Sequence, residues 1–209
     1  MKKDKCSISV VNMMNMNIKG LPFDGTWEAS FGHPMVTGSW IIWGQPGNGK
    51  TRFAIQLAKY LSQFGKVAYN SLEEGIGLSL QRAFKQENMQ EISGKMIILN
   101  KVRHQELMEL LMKRRSPDII VIDSLQYMGM TYSQYSKLIE KFKNKLFILV
   151  SHAEGKHPYG RIARQIHFDS FIKIWVEGYR AFPMSRYGGG APYVIWPEGA
   201  EKYWKGAQP

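Results

Sequence analysis

The sequence predicts an α/β fold: a mostly parallel sheet flanked by helices, with antiparallel strands added at the C-terminal end. Three observations carry that expectation. From Ser39 onward, short apolar runs alternate with segments of helical spacing, the pattern of strands joined by crossover helices. One run, Ile119-Ile120-Val121-Ile122, is branched and apolar throughout, which suits a strand covered on both faces. Beyond it, turns at Glu177-Gly178 and Gly188-Gly189-Gly190 separate short apolar runs, which suits antiparallel hairpins.

The elements follow in order. Residues 1–30 are rich in Met and Asn and poorly periodic, so they are expected to form an N-terminal arm with one short strand at Ile8-Ser9-Val10-Val11. Residues 31–209 form the expected domain. Residues 39–43 read as a strand and 44–50 as a glycine-rich loop. The spacing of Phe53, Leu57, Leu61 and Phe64 predicts a helix over 51–64, stopped by Gly65. A strand at 66–72, a polar helix reaching about Glu91, and a strand at 95–100 come next. Residues 104–115 read as a helix whose basic last turn suits its dipole. Pro117 separates it from the strand at 118–123. A helix at 132–145, a strand at 146–151, a loop at 153–160 and a short helix at 162–168 follow. A strand pair over 171–184 and a last strand at 193–196 complete the chain.

Composition sets the bounds. A chain of 209 residues with 44% hydrophobic side chains can bury a sizeable core and is neither a disordered tail nor a fibre. No apolar run approaches the roughly 18 residues of a membrane span. The N-terminus lacks the long apolar stretch of a secretion signal, so a cytoplasmic location is expected. The single cysteine, Cys6, excludes an intramolecular disulfide framework. Lys and Arg number 28 against 17 Asp and Glu, a net +11 that favours a polyanion such as nucleic acid as partner.

Gly44-Gln45-Pro46-Gly47-Asn48-Gly49-Lys50-Thr51 fits G-x-x-x-x-G-K-[ST] in full. Glycines let backbone N–H groups curl around phosphates, Lys50 reaches the terminal phosphates, and the Thr51 hydroxyl suits Mg²⁺. A strand before and a helix after supply the required context. The bland alternative is a glycine-rich turn with an exposed lysine. With Arg52 beside them, these residues form the expected ATP-binding set. Asp123 closes its apolar strand at the edge where α/β ligands bind, and is expected to hold Mg²⁺ together with Thr51.

Taken with four further segments, these residues resemble the RecA-like P-loop ATPases, in particular the core of the RadA (Sms) and DnaB-helicase type. The resemblance runs from about Phe31 to Trp196. Val67-Ala68-Tyr69-Asn70-Ser71-Leu72-Glu73-Glu74 is similar to the strand whose acid polarises the attacking water. That implies Glu73 as catalytic base, with Glu74 a weaker candidate. Leu149-Val150-Ser151-His152 resembles the strand end that senses the γ-phosphate, which implies that role for His152. The segment from Gly155 to Asp169 falls where the family places a DNA-contacting loop and short helix, implying Lys156, His157, Tyr159, Arg161 and Arg164 as DNA contacts. A solvated basic loop is the alternative. Met184-Ser185-Arg186-Tyr187-Gly188 resembles a Lys-Asn-Arg-Phe-Gly element, implying Arg186 as a finger into the neighbouring subunit's site. Met184 replaces the lysine there, a departure that puts a two-cation finger in doubt.

The extra domains of RadA and DnaB have no counterpart, so the chain is similar to the bare cores of Sak-type phage and mobile-element recombination ATPases. What the resemblance implies is an ATP- and Mg²⁺-dependent motor on single-stranded DNA in recombination, repair or replication, assembled as a hexameric ring or filament. Other replication or recombination proteins are possible partners, and no membrane is implied. The alternative is a nucleotide-switched adaptor, helicase loader or annealing factor with little hydrolysis. A small-molecule kinase fits the Glu73 and Arg186 positions poorly.

Overall fold

The computed structural model describes residues 7–18 and 20–206; Cys6 lies outside them. The first element is helix α1 (Val10–Met14), not the strand expected at residues 8–11. The Ser9 hydroxyl accepts from the Asn12 N–H and caps that helix, a local bond that favours the helical turn. Helix α2 (Gly25–Phe31) follows, and the division expected between residues 30 and 31 falls inside it. Leu21, Phe23 and Phe31 are buried. Trp27 stacks on Tyr60 at 4.7 Å and Phe31 on Trp40 at 5.9 Å. This segment therefore adds an aromatic layer to the core.

Strand β1 (Gly38–Gly44) leads through the glycine-rich loop into helix α3 (Lys50–Leu61). Then come β2 (Val67–Ser71), α4 (Leu78–Gln86), β3 (Met96–Asn100), α5 (His104–Leu111) and β4 (Ile119–Asp123). Helix α6 (Tyr132–Lys141) is opened by a capping box between Thr131 and Gln134. Strand β5 (Leu146–Glu154) turns into the two-residue β6 (His157–Pro158), so the expected loop at 153–160 is in fact a hairpin. Helix α7 (Arg161–Asp169), β7 (Ile172–Glu177), β8 (Arg180–Ser185) and β9 (Tyr193–Val194) precede helix α8 (Pro197–Lys205). The last helix was not expected. Its signals are Pro197 at the first helical position and Glu198 in the first turn.

The sheet runs β3-β2-β4-β5-β1-β7-β8-β9. Pairing is parallel from β3 to β7 and antiparallel from β7 to β9, the expected architecture. Side chains alternate across it. Trp40 and Ile42 of β1 face the core under α2, α3 and α4, while Ile41 and Trp43 face the core under α5, α6 and α7. Every residue of β4 is buried, as its unbroken apolar run requires. The parallel register sets Gly44 beside His152 and Ser71 beside Asp123. The C-terminal ends of four strands thus open onto one edge of the sheet.

Candidate active site

The phosphate loop is shaped by close approach and by backbone sign. A Cβ on Gly44 would collide with the Val176 carbonyl of β7, so packing as well as ligand approach demands glycine there. Gly47 (φ +77°) and Gly49 (φ +95°) hold the left-handed conformations that curl the loop. The Asn48 amide donates to the Pro46 carbonyl at 3.2 Å, while its Oδ1 accepts from the Gly178 N–H at 2.7 Å. Lys50 opens α3 and donates to the Gln45 carbonyl at 3.0 Å, so its amine lies across the loop. Burial lowers the Lys50 pKa, against the pull of Asp123 and Glu73. These features make a cradle of N–H groups and a desolvated cation, suited to a polyphosphate.

The opposite wall is acidic. Asp123, 9% exposed, ends β4. The buried Tyr69 hydroxyl donates to its Oδ2 at 2.6 Å. Burial raises the Asp123 pKa, and hydrogen bonds from Tyr69 and Thr51 oppose the rise. Burial also pushes the Tyr69 hydroxyl well above its usual range, which keeps it a donor. Just beyond β2, Glu73 Oε2 accepts from the Ser124 hydroxyl at 3.2 Å and stands 3.3 Å from His152 Nε2. Ser124 Oγ and His152 Nε2 are 3.4 Å apart. A cleft of about 230 Å³ gathers Lys50, Thr51, Glu73, Asp123, Ser124 and His152. A half-exposed carboxylate oriented by two polar neighbours, facing a phosphate cradle, can take a proton from water.

Not every expected residue reaches this cleft. Arg52 turns away: its Nε donates to Glu87 Oε1 at 2.6 Å, and its guanidinium lies over Trp196 at 5.7 Å. It does not contact the phosphate loop through its side chain, because the Glu87 carboxylate beside α3 captures it. Glu74 lines the cleft rim and accepts from the Ser79 hydroxyl at 3.3 Å. Arg186 follows Ser185, which pairs with Ile172, itself level with Trp40 near the start of β1. It therefore sits at the end of the sheet away from its own phosphate loop, with its guanidinium 5.2 Å from the Phe171 ring centroid.

Lys156, His157, Tyr159, Arg161 and Arg164 are all exposed on the β5–β6 hairpin and the start of α7. Arg164 pairs with Glu154 at 2.5 Å, which partly spends its charge within the chain. The hairpin is tied to the phosphate strand and loop. The Gln45 amide donates to the Gly155 carbonyl at 3.1 Å, and the Trp43 indole N–H donates to the Lys156 carbonyl at 3.0 Å.

Sequence reasoning missed Tyr69, Ser124 and Gln126. Ser124 adjoins Asp123 and could have been weighed as a polar neighbour at the strand end. Gln126 ties two residues of β5 to the residue that follows β6. Its amide donates to Ser151 Oγ at 2.7 Å and to the Tyr159 carbonyl at 3.2 Å, and its Oε1 accepts from the His152 N–H at 3.3 Å. No local pattern marks it.

Residues 40–167, from β1 through most of α7, match the family described as ATPase family associated with various cellular activities (AAA). The chain belongs to this family. It is accordingly an ATPase, and the matched span contains the phosphate loop, Glu73, Asp123 and His152. Among solved structures, this AAA ATPase is similar to the flagellar accessory protein FlaH from Methanocaldococcus jannaschii, with a TM-score of 0.60 and 15% identity. The match covers 81% of this chain and 90% of that chain, and at such identity it shows the fold alone. No curated protein matches the sequence. Among the described residues, no helix is long and apolar enough to cross a membrane.

Proposed function

We propose that this ATPase couples hydrolysis to single-stranded DNA, as a bare RecA-like core of the RadA, DnaB or Sak type acting in recombination, repair or replication in the cytoplasm. One observation carries the reading. Strand β5 runs straight from His152 in the cleft into an exposed basic and aromatic hairpin, and Gln45 of the phosphate loop is hydrogen-bonded to that hairpin's Gly155. Phosphate contact and base stacking need that mixture of side chains.

In this mechanism the Lys50 loop binds the ATP phosphates and Glu73 accepts the proton of the attacking water. His152 meets the γ-phosphate and passes its presence along β5. The Thr51 hydroxyl and the Asp123 carboxylate are a hard-oxygen pair suited to Mg²⁺, which keeps few protein ligands. When bound, Mg²⁺ supplies charge neutralisation at the phosphates. Arg186 lies far from its own cleft, so it serves a neighbouring subunit's site in a ring or filament. Hydrolysis with and without single-stranded DNA, in wild type, Glu73→Gln and Arg186→Ala, is the test. DNA stimulation that both substitutions abolish is expected. Tight ATP binding without turnover or DNA response would overturn the motor reading.

That outcome would favour the second reading, a nucleotide-switched adaptor or loader with little hydrolysis. Met184 standing where the resembling motif has lysine is the observation behind it. The structurally similar FlaH is a flagellar accessory protein, which agrees with such a role.

A further inference from the structure

We propose that the open face of the β7–β8 ribbon, which carries Trp175 and Phe182, is a second contact for single-stranded DNA, a platform on which bases stack. This rests on the reading that the β5–β6 hairpin meets the strand's phosphates, and it deepens that reading by naming where the bases go. Ile172, Ile174, Val176 and Ala181 point into the core beneath α2, α3 and α4. Lys173, Trp175 and Glu177 of β7 and Arg180, Phe182 and Met184 of β8 therefore share the opposite face. Trp175 stands directly opposite Phe182 in the antiparallel register. On this side Ala163 and Ile166 of α7 pack in one core with Ile41 and Trp43 of β1. The neighbouring β7–β8 face is left as a groove of about 370 Å³ lined by Lys156, Trp175, Glu177, Phe182 and Trp204.

The groove is joined to the hairpin. The Trp43 indole N–H donates to the Lys156 carbonyl at 3.0 Å, and Trp43 pairs in register with Trp175, the two rings 5.8 Å apart. Both indoles that line the groove have their polar edges occupied. The Trp175 N–H donates to Glu177 Oε2 at 3.1 Å, and the Trp204 N–H donates to the Gly178 carbonyl at 3.1 Å. What these side chains offer a ligand is therefore ring surface. The Arg180 guanidinium lies over the Trp204 ring at 5.3 Å, so Trp204 serves as a wall. Trp175 and Phe182 are the stacking rings.

Charge selects the occupant. Lys156 lines the groove, and Lys173 and Arg180 stand on the same sheet face. The one carboxylate in the lining, Glu177, accepts from the Trp175 indole. The His167 pKa is lowered first by burial and then by Lys173 and His157, the mark of a positive surround. Aliphatic side chains, which a contact between subunits would bury, are absent from the lining. Aromatic rings flanked by cations on an uncovered sheet face suit bases joined by phosphates.

Fluorescence anisotropy with labelled oligothymidylate, and with an abasic strand of the same length, tests this on the full chain in wild type, Trp175→Leu, Phe182→Leu and Trp175→Phe. Each leucine variant is expected to weaken oligothymidylate about tenfold, the scale of one base–aromatic stack, and to leave the abasic strand and the salt slope unchanged. Trp175→Phe keeps most of the wild-type affinity. Unchanged oligothymidylate affinity in both leucine variants would overturn the platform and leave the hairpin reading standing. If their oligomeric state changed instead, the face would belong to a second copy of the chain and the platform would equally fall. An equal loss for both strands would overturn it too. A wild type that binds neither strand would overturn the DNA reading and the platform with it.

Discussion

Replacing Tyr69 by Phe removes one oxygen and leaves the ring, so no cavity opens in a strand that is buried throughout. What is lost is the 2.6 Å hydrogen bond to Asp123 Oδ2, deep under the cleft. A hydrogen bond to a charged group contributes about 1.5–3 kcal/mol, and a buried carboxylate left short of a donor carries the full loss. In a chain of this size about 1 kcal/mol moves Tm by roughly 2–4 °C, so a fall of about 3–12 °C is expected. The pH dependence has a definite sign. Burial already raises the Asp123 pKa, and the Tyr69 bond is one of the groups holding it down. Removing that bond raises the native pKa further. The stability gap between wild type and Tyr69→Phe is therefore full at pH values above the native pKa of the variant. It narrows as pH falls through that range, because Asp123 becomes protonated and its bond becomes a neutral one. Urea unfolding without nucleotide or metal, from neutral to mildly acidic pH, measures both effects. Unchanged stability at neutral pH, or a gap that does not narrow on acidification, would refute the account.

Glu73→Gln should retain ATP binding and lower turnover by about 10²–10⁴-fold, the usual worth of a positioned base, as single-turnover kinetics would read. Gln126→Ala cuts the links to Ser151, His152 and Tyr159; basal hydrolysis should persist while stimulation by single-stranded DNA is lost. Phe31→Ala, at a fully buried position, should cost about 3–5 kcal/mol in urea unfolding, showing that the segment before β1 is part of the core. Lys156→Ala should weaken DNA binding evenly across sequences and reduce the salt slope by about one, as filter binding at several ionic strengths would show.

Much of this was legible without coordinates because the signals are local. The phosphate loop lies within Gly44–Thr51, and its chemistry depends on backbone sign and on the next helix, both set by neighbours in sequence. Asp123 at the end of an unbroken apolar strand was equally readable, since a carboxylate closing such a strand falls at the sheet edge where α/β ligands bind. Glu73 and His152 were reached only through the resemblance of their segments to those of the RecA-like ATPases. The hairpin at 153–158 was read as a loop because a two-residue strand carries no period. The helix at 197–205 was missed because a short apolar run before it, Tyr193 to Trp196, reads as one strand.

Other assignments needed the folded chain. Arg52 stands beside the phosphate loop in sequence, yet Glu87, 35 residues away, turns its side chain aside. Tyr69 meets Asp123 across 54 residues, and Gln126 reaches β5 across about that half-distance in sequence only because the parallel register aligns the strand ends. Arg186 lies near the far end of β1 because an antiparallel strand carries the chain back across the sheet. The sequence by itself determined the α/β class, the phosphate cradle and the place of Asp123 at its strand end, since each rests on periodicity or on contiguous residues. Tertiary structure alone decided which side chains hold those groups and which are drawn away, because those partners are chosen by strand register and helix packing.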